Sequence, residues 1–196
     1  MRWDSLFDDL AGQLDHELDA DDAGVRLEAE RLRRGRLTLR DRLQALQFER
    51  GAGEVLAVEL VDGTTRRLRV RSLGKDWFQA TSGHDDQCEL VVPLHAVAAI
   101  GLSPAQADWS LDEVGQQQPS LLDRLTISFL LRDLCRRRAG VVVHTRSGRW
   151  NGTIDRVGRD HLDLAVHEAG AVRRAKDIAQ IRVVAFAEIV LVERGA

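Results

Sequence analysis

The sequence has no tyrosine, one methionine, three prolines, two cysteines and, among 28 basic residues, only two lysines, Lys75 and Lys176. Each shortage excludes something. Two cysteines, Cys88 and Cys135, are too few for a disulfide framework, and the chain is expected to work in the cytoplasm. No apolar run approaches the roughly 20 residues that a membrane-spanning helix needs, so no membrane partner is expected. The opening MRWDSLFDDL is acidic and lacks the apolar centre of a secretory signal. Arginine supplies 26 of the basic residues, a bias that suits a GC-rich genome, so arginine abundance alone is weak grounds for phosphate binding. Catalytic signatures are missing as well. There is no GxxxxGK[ST] loop for nucleotide phosphates, no GxSxG elbow and no GxGxxG turn. No set of residues fills the roles of nucleophile, base and orienting group. The expectation is therefore a protein that is not an enzyme and carries no cofactor.

What is present is the balance of a globular chain: 196 residues, 44% hydrophobic and 30% charged, enough for two domains. The net charge of −3 is unevenly spread. Residues 1–53 carry 9 basic and 12 acidic side chains, residues 54–123 carry 5 and 11, and residues 124–196 carry 14 and 8. The last third is the only region suited to a polyanion.

The first 36 residues read as a helical arm. Trp3, Phe7, Leu10, Leu14 and Leu18 fall on one helical stripe, opposite Asp4, Asp8, Asp9, Asp15 and Glu17. The DADD stretch and Gly24 break it. A second helical stretch follows, in which Val25, Leu27 and Leu32 lie among arginines.

From residue 37 the pattern is duplicated. Leu37-Thr38-Leu39 followed by RDRLQALQ matches Leu125-Thr126-Ile127 followed by SFLLRDLCRRR, and each is a short helix with threonine at its N-cap. AVELVDG matches VVVHTRSG, strands that end in the turn pairs Asp62-Gly63 and Ser147-Gly148. TTRRLRVRSLGKD matches RWNGTIDRVGRD, and WFQAT matches HLDLAV. The polar turns SGHDDQ and HEAG follow, and then the apolar alternations PLHAVAAIGL and AKDIAQIRVV, with Val97 and Ile100 set against Ile178 and Ile181. The offset between copies falls from 88 to 85, 84 and 81, as small loop deletions would cause. The expected domains are 1–36, 37–102 and 124–196, with 103–123 as a linker. That linker holds two of the three prolines and three consecutive glutamines, and reads as extended. The tail AFAEIVLVERG has the alternation of one more strand.

One short helix followed by five strands resembles the Sm-like fold, a bent SH3-like barrel shared with the bacterial RNA chaperone Hfq. The resemblance is carried best by Ser147-Gly148, Gly152-Thr153-Ile154-Asp155, Asp160 and the closing Ile178 to Val184. The first copy has Asp62-Gly63, Asp76 and Val97 to Ile100, but no glycine where the second has Gly152. A tandem chain with a helical arm also resembles certain actinobacterial proteins. The resemblance implies a mainly β fold of two tandem five-stranded bent barrels, each preceded by a short helix. It also implies joining of barrels edge to edge, here through the apolar strands AVAAIGL and AEIVLVE. The asparagine and the Arg-Gly pair that read RNA in eukaryotic Sm proteins are replaced by SLGKD and VGRD, and by ELVVPLH and VRRAKD.

Two functional expectations follow. The first is a non-catalytic interaction or scaffold module that docks a protein partner and self-associates through strand edges. The alternative is an RNA- or DNA-binding regulator that uses the basic second barrel. Its candidate residues are Arg132, Arg136, Arg137 and Arg138 on the second helix, Arg149 and Trp150 in a basic turn, and Arg173, Arg174 and Lys176. His84 and Cys88 are the only pair with suggestive metal-ligand spacing, too few for a metal site. His161, Asp163 and His167 would share one face of a strand, read as a solvated outer face.

Overall fold

The computed structural model describes residues 24–48, 54–82, 88–112, 120–168 and 179–194. The chain divides into two compact units, residues 1–38 and 39–196. Within the first, residues 24–36 form helix α1. Glu30 receives hydrogen bonds from Arg33 Nε (2.6 Å) and Arg34 Nε (2.6 Å), the three- and four-residue spacings that face each other on a helix. Those contacts hold the Glu30 carboxyl at about 2. The apolar stripe from Trp3 to Leu18 and the acidic face opposite it lie outside the described residues.

The second unit is mainly β. Helix α2 (Leu39–Phe48) precedes β1 (Val55–Leu60), β2 (Thr65–Leu73), β3 (Trp77–Ser82), β4 (Glu89–Pro93) and β5 (Val97–Gly101). Helix α3 (Pro104–Trp109) follows. Helix α4 (Ile127–Arg136) then leads into β6 (Gly140–Thr145), β7 (Gly148–Val157), β8 (His161–Val166), β9 (Gln180–Ala185) and β10 (Ile189–Arg194). All neighbouring strands run antiparallel in one ten-stranded sheet, in the order β5-β1-β2-β3-β4-β10-β6-β7-β8-β9. The order is the same five-strand pattern twice, laid end to end. Among the described residues no helix is long and apolar enough to cross a membrane.

The duplication reaches individual hydrogen bonds. Gly74 N donates to Trp77 O and Gly158 N to His161 O, both at 2.8 Å. Leu94 N donates to Asp76 O (2.9 Å) and Phe186 N to Asp160 O (2.8 Å). Both long second strands carry a bulge at the matching place, between Val70 and Ser72 and between Ile154 and Arg156. The extra residue bends the strand, so the first copy turns without a mid-strand glycine. Gly152 answers a different need. A Cβ there would lie 2.2 Å from the backbone oxygen of Ala165 on the adjacent strand.

Two expectations from sequence change. The closing strands were set against each other out of step. Trp77 pairs with Pro93 and His161 with Ala185, so Ile181 belongs to the fourth strand of its copy, not the fifth. The partner of Val97 is Ile189, in the tail. Ile178 lies outside the described residues. The linker is also not extended throughout. Ser103 Oγ accepts from Gln106 N while Gln106 Oε1 accepts from Ser103 N, a capping box that starts α3 with Pro104 in its first turn. Arg42 binds the buried Ser110 Oγ through Nε (2.9 Å) and Nη2 (2.6 Å), which ties this segment to α2. Residues 113–119, with the three glutamines, lie outside the described residues.

Each copy has its own core, and each core borrows from the other. Leu43, Val58, Leu68, Phe78 and Val92 centre the first, which also takes Val190 and Leu191 from β10. Leu131, Val143, Ile154, Leu162 and Leu164 centre the second, which also takes Trp77 from β3.

Replacing Gly152 by alanine forces β7 away from β8 and should cost about 1–3 kcal/mol, as overpacking does. Gly140, whose Cβ would meet nothing within 4 Å, is the control. Chemical denaturation should show Gly140→Ala close to wild type and Gly152→Ala clearly less stable.

Candidate interaction surfaces

The seam between the copies is built from backbone pairing, a helix cap and two cross-seam side chains. β4 and β10 pair at Val91 with Val192 and at Leu90 with Glu193. Beside them the 74–77 turn of the first copy meets the start of α4. Thr126 is the N-cap residue, but its hydroxyl bonds Ser128 Oγ (2.9 Å) rather than a helix amide. The cap comes instead from Asp76, whose Oδ1 accepts from Ile127 N at 2.7 Å. An anion at a helix N-terminus also gains from the helix dipole. Lys75 N (2.9 Å) and Trp77 Nε1 (3.0 Å) both donate to Leu125 O. Asp76 and Trp77 therefore lock the second copy onto the first, a role that sequence reading missed. The only signal in the letters was the GKD turn itself, which places an aspartate directly after a glycine-lysine pair.

Next to the seam, between β6 and β10 of the second copy, His144 Nε2 is buried and lies 3.3 Å from Glu193 Oε1. This contact lowers the Glu193 carboxyl pKa, and the charges of Arg66 and Arg149 add to it against the opposing effect of burial. Arg194 and Glu89 face each other at 3.8 Å, both substantially exposed, a separation worth little.

The two outer strands of the sheet, β5 and β9, have one strand neighbour each among the described residues. β9 presents Ile181 (50% exposed) and Val183 (70% exposed), large apolar side chains in water. Ala98 and Ala99 of β5 are exposed and Ile100 is half-buried. Long apolar strand edges are templates for pairing with another chain. The strand AEIVLVE, expected to be such an edge, is instead β10, with Ile189 to Val192 buried in the middle of the sheet.

The basic candidates are partly drawn together and partly neutralised. Arg132, Arg136 and Arg137 lie on or at the end of α4, followed by Arg138, whose φ of 51° closes the helix in the left-handed region. Asp133 accepts from Arg136 Nη2 (2.5 Å) and Arg137 Nε (2.6 Å), and both contacts lower its pKa. Arg132 Nη2 reaches Gly158 O at 3.4 Å. Arg149 is exposed on β7, close enough to Glu193 to influence it. Trp150 is half-buried against the second core, and the Arg182 guanidinium sits 3.5 Å from its ring centroid. One face of that ring is therefore already covered by a cation. Arg173, Arg174 and Lys176 lie outside the described residues.

The histidine face also differs from expectation. His161 is exposed and bonds Asp160 Oδ1 through Nδ1 (2.8 Å), and Asp163 is half-buried. His167 lies past the end of β8 and is buried. Its Nδ1 donates to Glu168 O (2.9 Å) and its Nε2 is hydrogen-bonded to Thr153 Oγ1 (2.9 Å), so both ring nitrogens are used inside the protein. Among the described residues no three His, Cys, Asp or Glu side chains are grouped as metal ligands. His84 lies outside them. Comparison with known proteins finds no matching family model, no matching curated protein and no matching solved structure.

Asp76→Ala should destabilise the second unit by about 0.5–2 kcal/mol, with Asp76→Asn retaining most of the stability because an amide oxygen still caps. Thermal melts of the two variants test this. Glu193 titrates below its ordinary value in the folded chain, so its ionised form stabilises above that ordinary value. The stability is lost as pH falls through the lowered folded pKa. Glu193→Gln should therefore remove part of the acid-side slope of stability against pH, measured by denaturation from roughly pH 7 to pH 3.

Proposed function

We propose that the chain is a non-catalytic scaffold module of two Sm-like, SH3-like repeats that self-associates through its strand edges and docks a protein partner. The observation that supports this reading is the strand order. The fourth strand of the first copy already pairs with the fifth strand of the second. The unused fourth strand, β9, and the unused fifth strand, β5, stand at opposite ends of the same sheet. One chain therefore carries both halves of a seam it has already formed once. The helix before each repeat and the shared strand order support the Sm-like reading. The acidic first repeat supports a protein partner with basic groups. Cys88 and Cys135 are not joined in a disulfide, which favours a reducing compartment such as the cytoplasm.

Binding of RNA or DNA by the second repeat is the competing outcome. Asp133 beneath Arg136 and Arg137, and Arg182 over Trp150, weigh against it. Fluorescence anisotropy with single-stranded RNA and duplex DNA, titrated across salt, separates the readings. The scaffold reading expects no salt-sensitive binding at micromolar protein. Tight binding that falls steeply with salt, and disappears in an Arg136/Arg137/Arg138→Ala variant, would replace it with the nucleic-acid reading.

A further inference from the structure

We infer that Asp160 caps helix α2 of a second copy of this chain, as Asp76 caps α4 within the chain. The inference rests on the edge-pairing reading above and adds the residues that lock it. Inside the chain, the seam combines a strand pair with a turn that seats its aspartate on the next repeat's helix. The second repeat carries an equivalent turn. Gly158 N closes it onto His161 O, and Phe186 N fixes the Asp160 carbonyl, at the same distances within 0.1 Å as Gly74 and Leu94 in the first repeat. The backbone that aims Asp76 thus also aims Asp160. The two side chains differ in what they meet. Asp76 reaches Ile127 N, whereas the Asp160 side chain is 86% exposed and touches only its neighbour His161 among the ion pairs of the described residues. That contact lowers its pKa, so the carboxylate is charged and available to a helix N-terminus.

The receiving helix has the same start. Leu37-Thr38-Leu39 stands where Leu125-Thr126-Ile127 stands in the second copy. Ile127 is only 5% exposed and belongs to the same core as Trp77, whereas Leu39 is 39% exposed. The strand edges agree with this placement. By the shared pairing, Val183 corresponds to Val91 and Ile100 to Val192. The internal Val91–Val192 pair therefore predicts Val183 of one copy opposite Ile100 of the next. In that arrangement Asp160 meets the Leu39 amide, and His161 takes the place of Trp77 against the same helix end.

Three variants of the full chain, compared with wild type by sedimentation velocity over a wide concentration range, test the cap separately from the edge. Val183→Arg places a charge on the open edge and should abolish association. Asp160→Ala should raise the Kd for association about 3- to 30-fold, the equivalent of a lost N-cap. Asp160→Asn should stay near wild type, since asparagine caps as well as aspartate. Both positions are exposed, so circular dichroism melts of all three variants should match wild type. If wild type is monomeric throughout, or Val183→Arg associates as wild type does, the edge reading fails and the cap with it. If Val183→Arg dissociates but Asp160→Ala associates as wild type does, the cap alone is overturned. Equal weakening by Asp160→Ala and Asp160→Asn also overturns it, because charge rather than capping would then be at work.

Discussion

Strand β10 is the element on which the rest of the structure depends. It is the fifth strand of the second copy, yet it pairs with β4 of the first copy on one side and β6 on the other. Its side chains divide between the cores: Val190 and Leu191 go to the first, Ile189 and Val192 to the second. Without β10, β4 would be an open edge and both cores would lose a wall. Burial of four consecutive large aliphatic residues contributes on the order of 6–12 kcal/mol before chain entropy is counted, which is comparable to the net stability of a whole domain. The two copies are thus joined by shared core rather than by a tether.

The cap at α4 makes the same point through polar chemistry. A helix start leaves several amides without partners. In the second copy the nearby threonine turns to Ser128, and the carboxylate of Asp76 arrives from the first copy. Arg40 adds a further tie on the first copy's side, with Nε on Gly74 O (2.8 Å) and Nη2 on Asp123 Oδ1 (2.6 Å). The turn that caps the second copy is therefore itself held by the helix of the first.

What was legible in the sequence was local. Helices α2 and α4, the Asp62-Gly63 and Ser147-Gly148 turns, and the first three strands of each copy follow from periodicity and turn chemistry between neighbouring residues. What was not legible depended on distant pairing. QIRVVA and IVLVER are both short apolar strands, and no local signal says which of them closes the second copy. The choice is made by the pairing of β9 with β8 and of β10 with β4 and β6. The α3 helix was present in the letters, as Ser-Pro-Ala-Gln, but was hidden by the proline and glutamine content of its surroundings. Of the candidate basic residues, Arg132 and Arg136 lie on α4, with Arg137 and Arg138 at and just past its end. That Asp133 holds two of them was available from the three- and four-residue spacing, and the covering of Trp150 by Arg182 was not.

The central claim is that one kind of seam is used twice, once within the chain and once between chains. Amide hydrogen exchange, followed strand by strand at low and high protein concentration, tests it most directly. The account predicts that β4 and β10 are protected at every concentration, while β5 and β9 exchange quickly when dilute and slow down together as concentration rises. Fast exchange at β5 and β9 that does not change with concentration would contradict it.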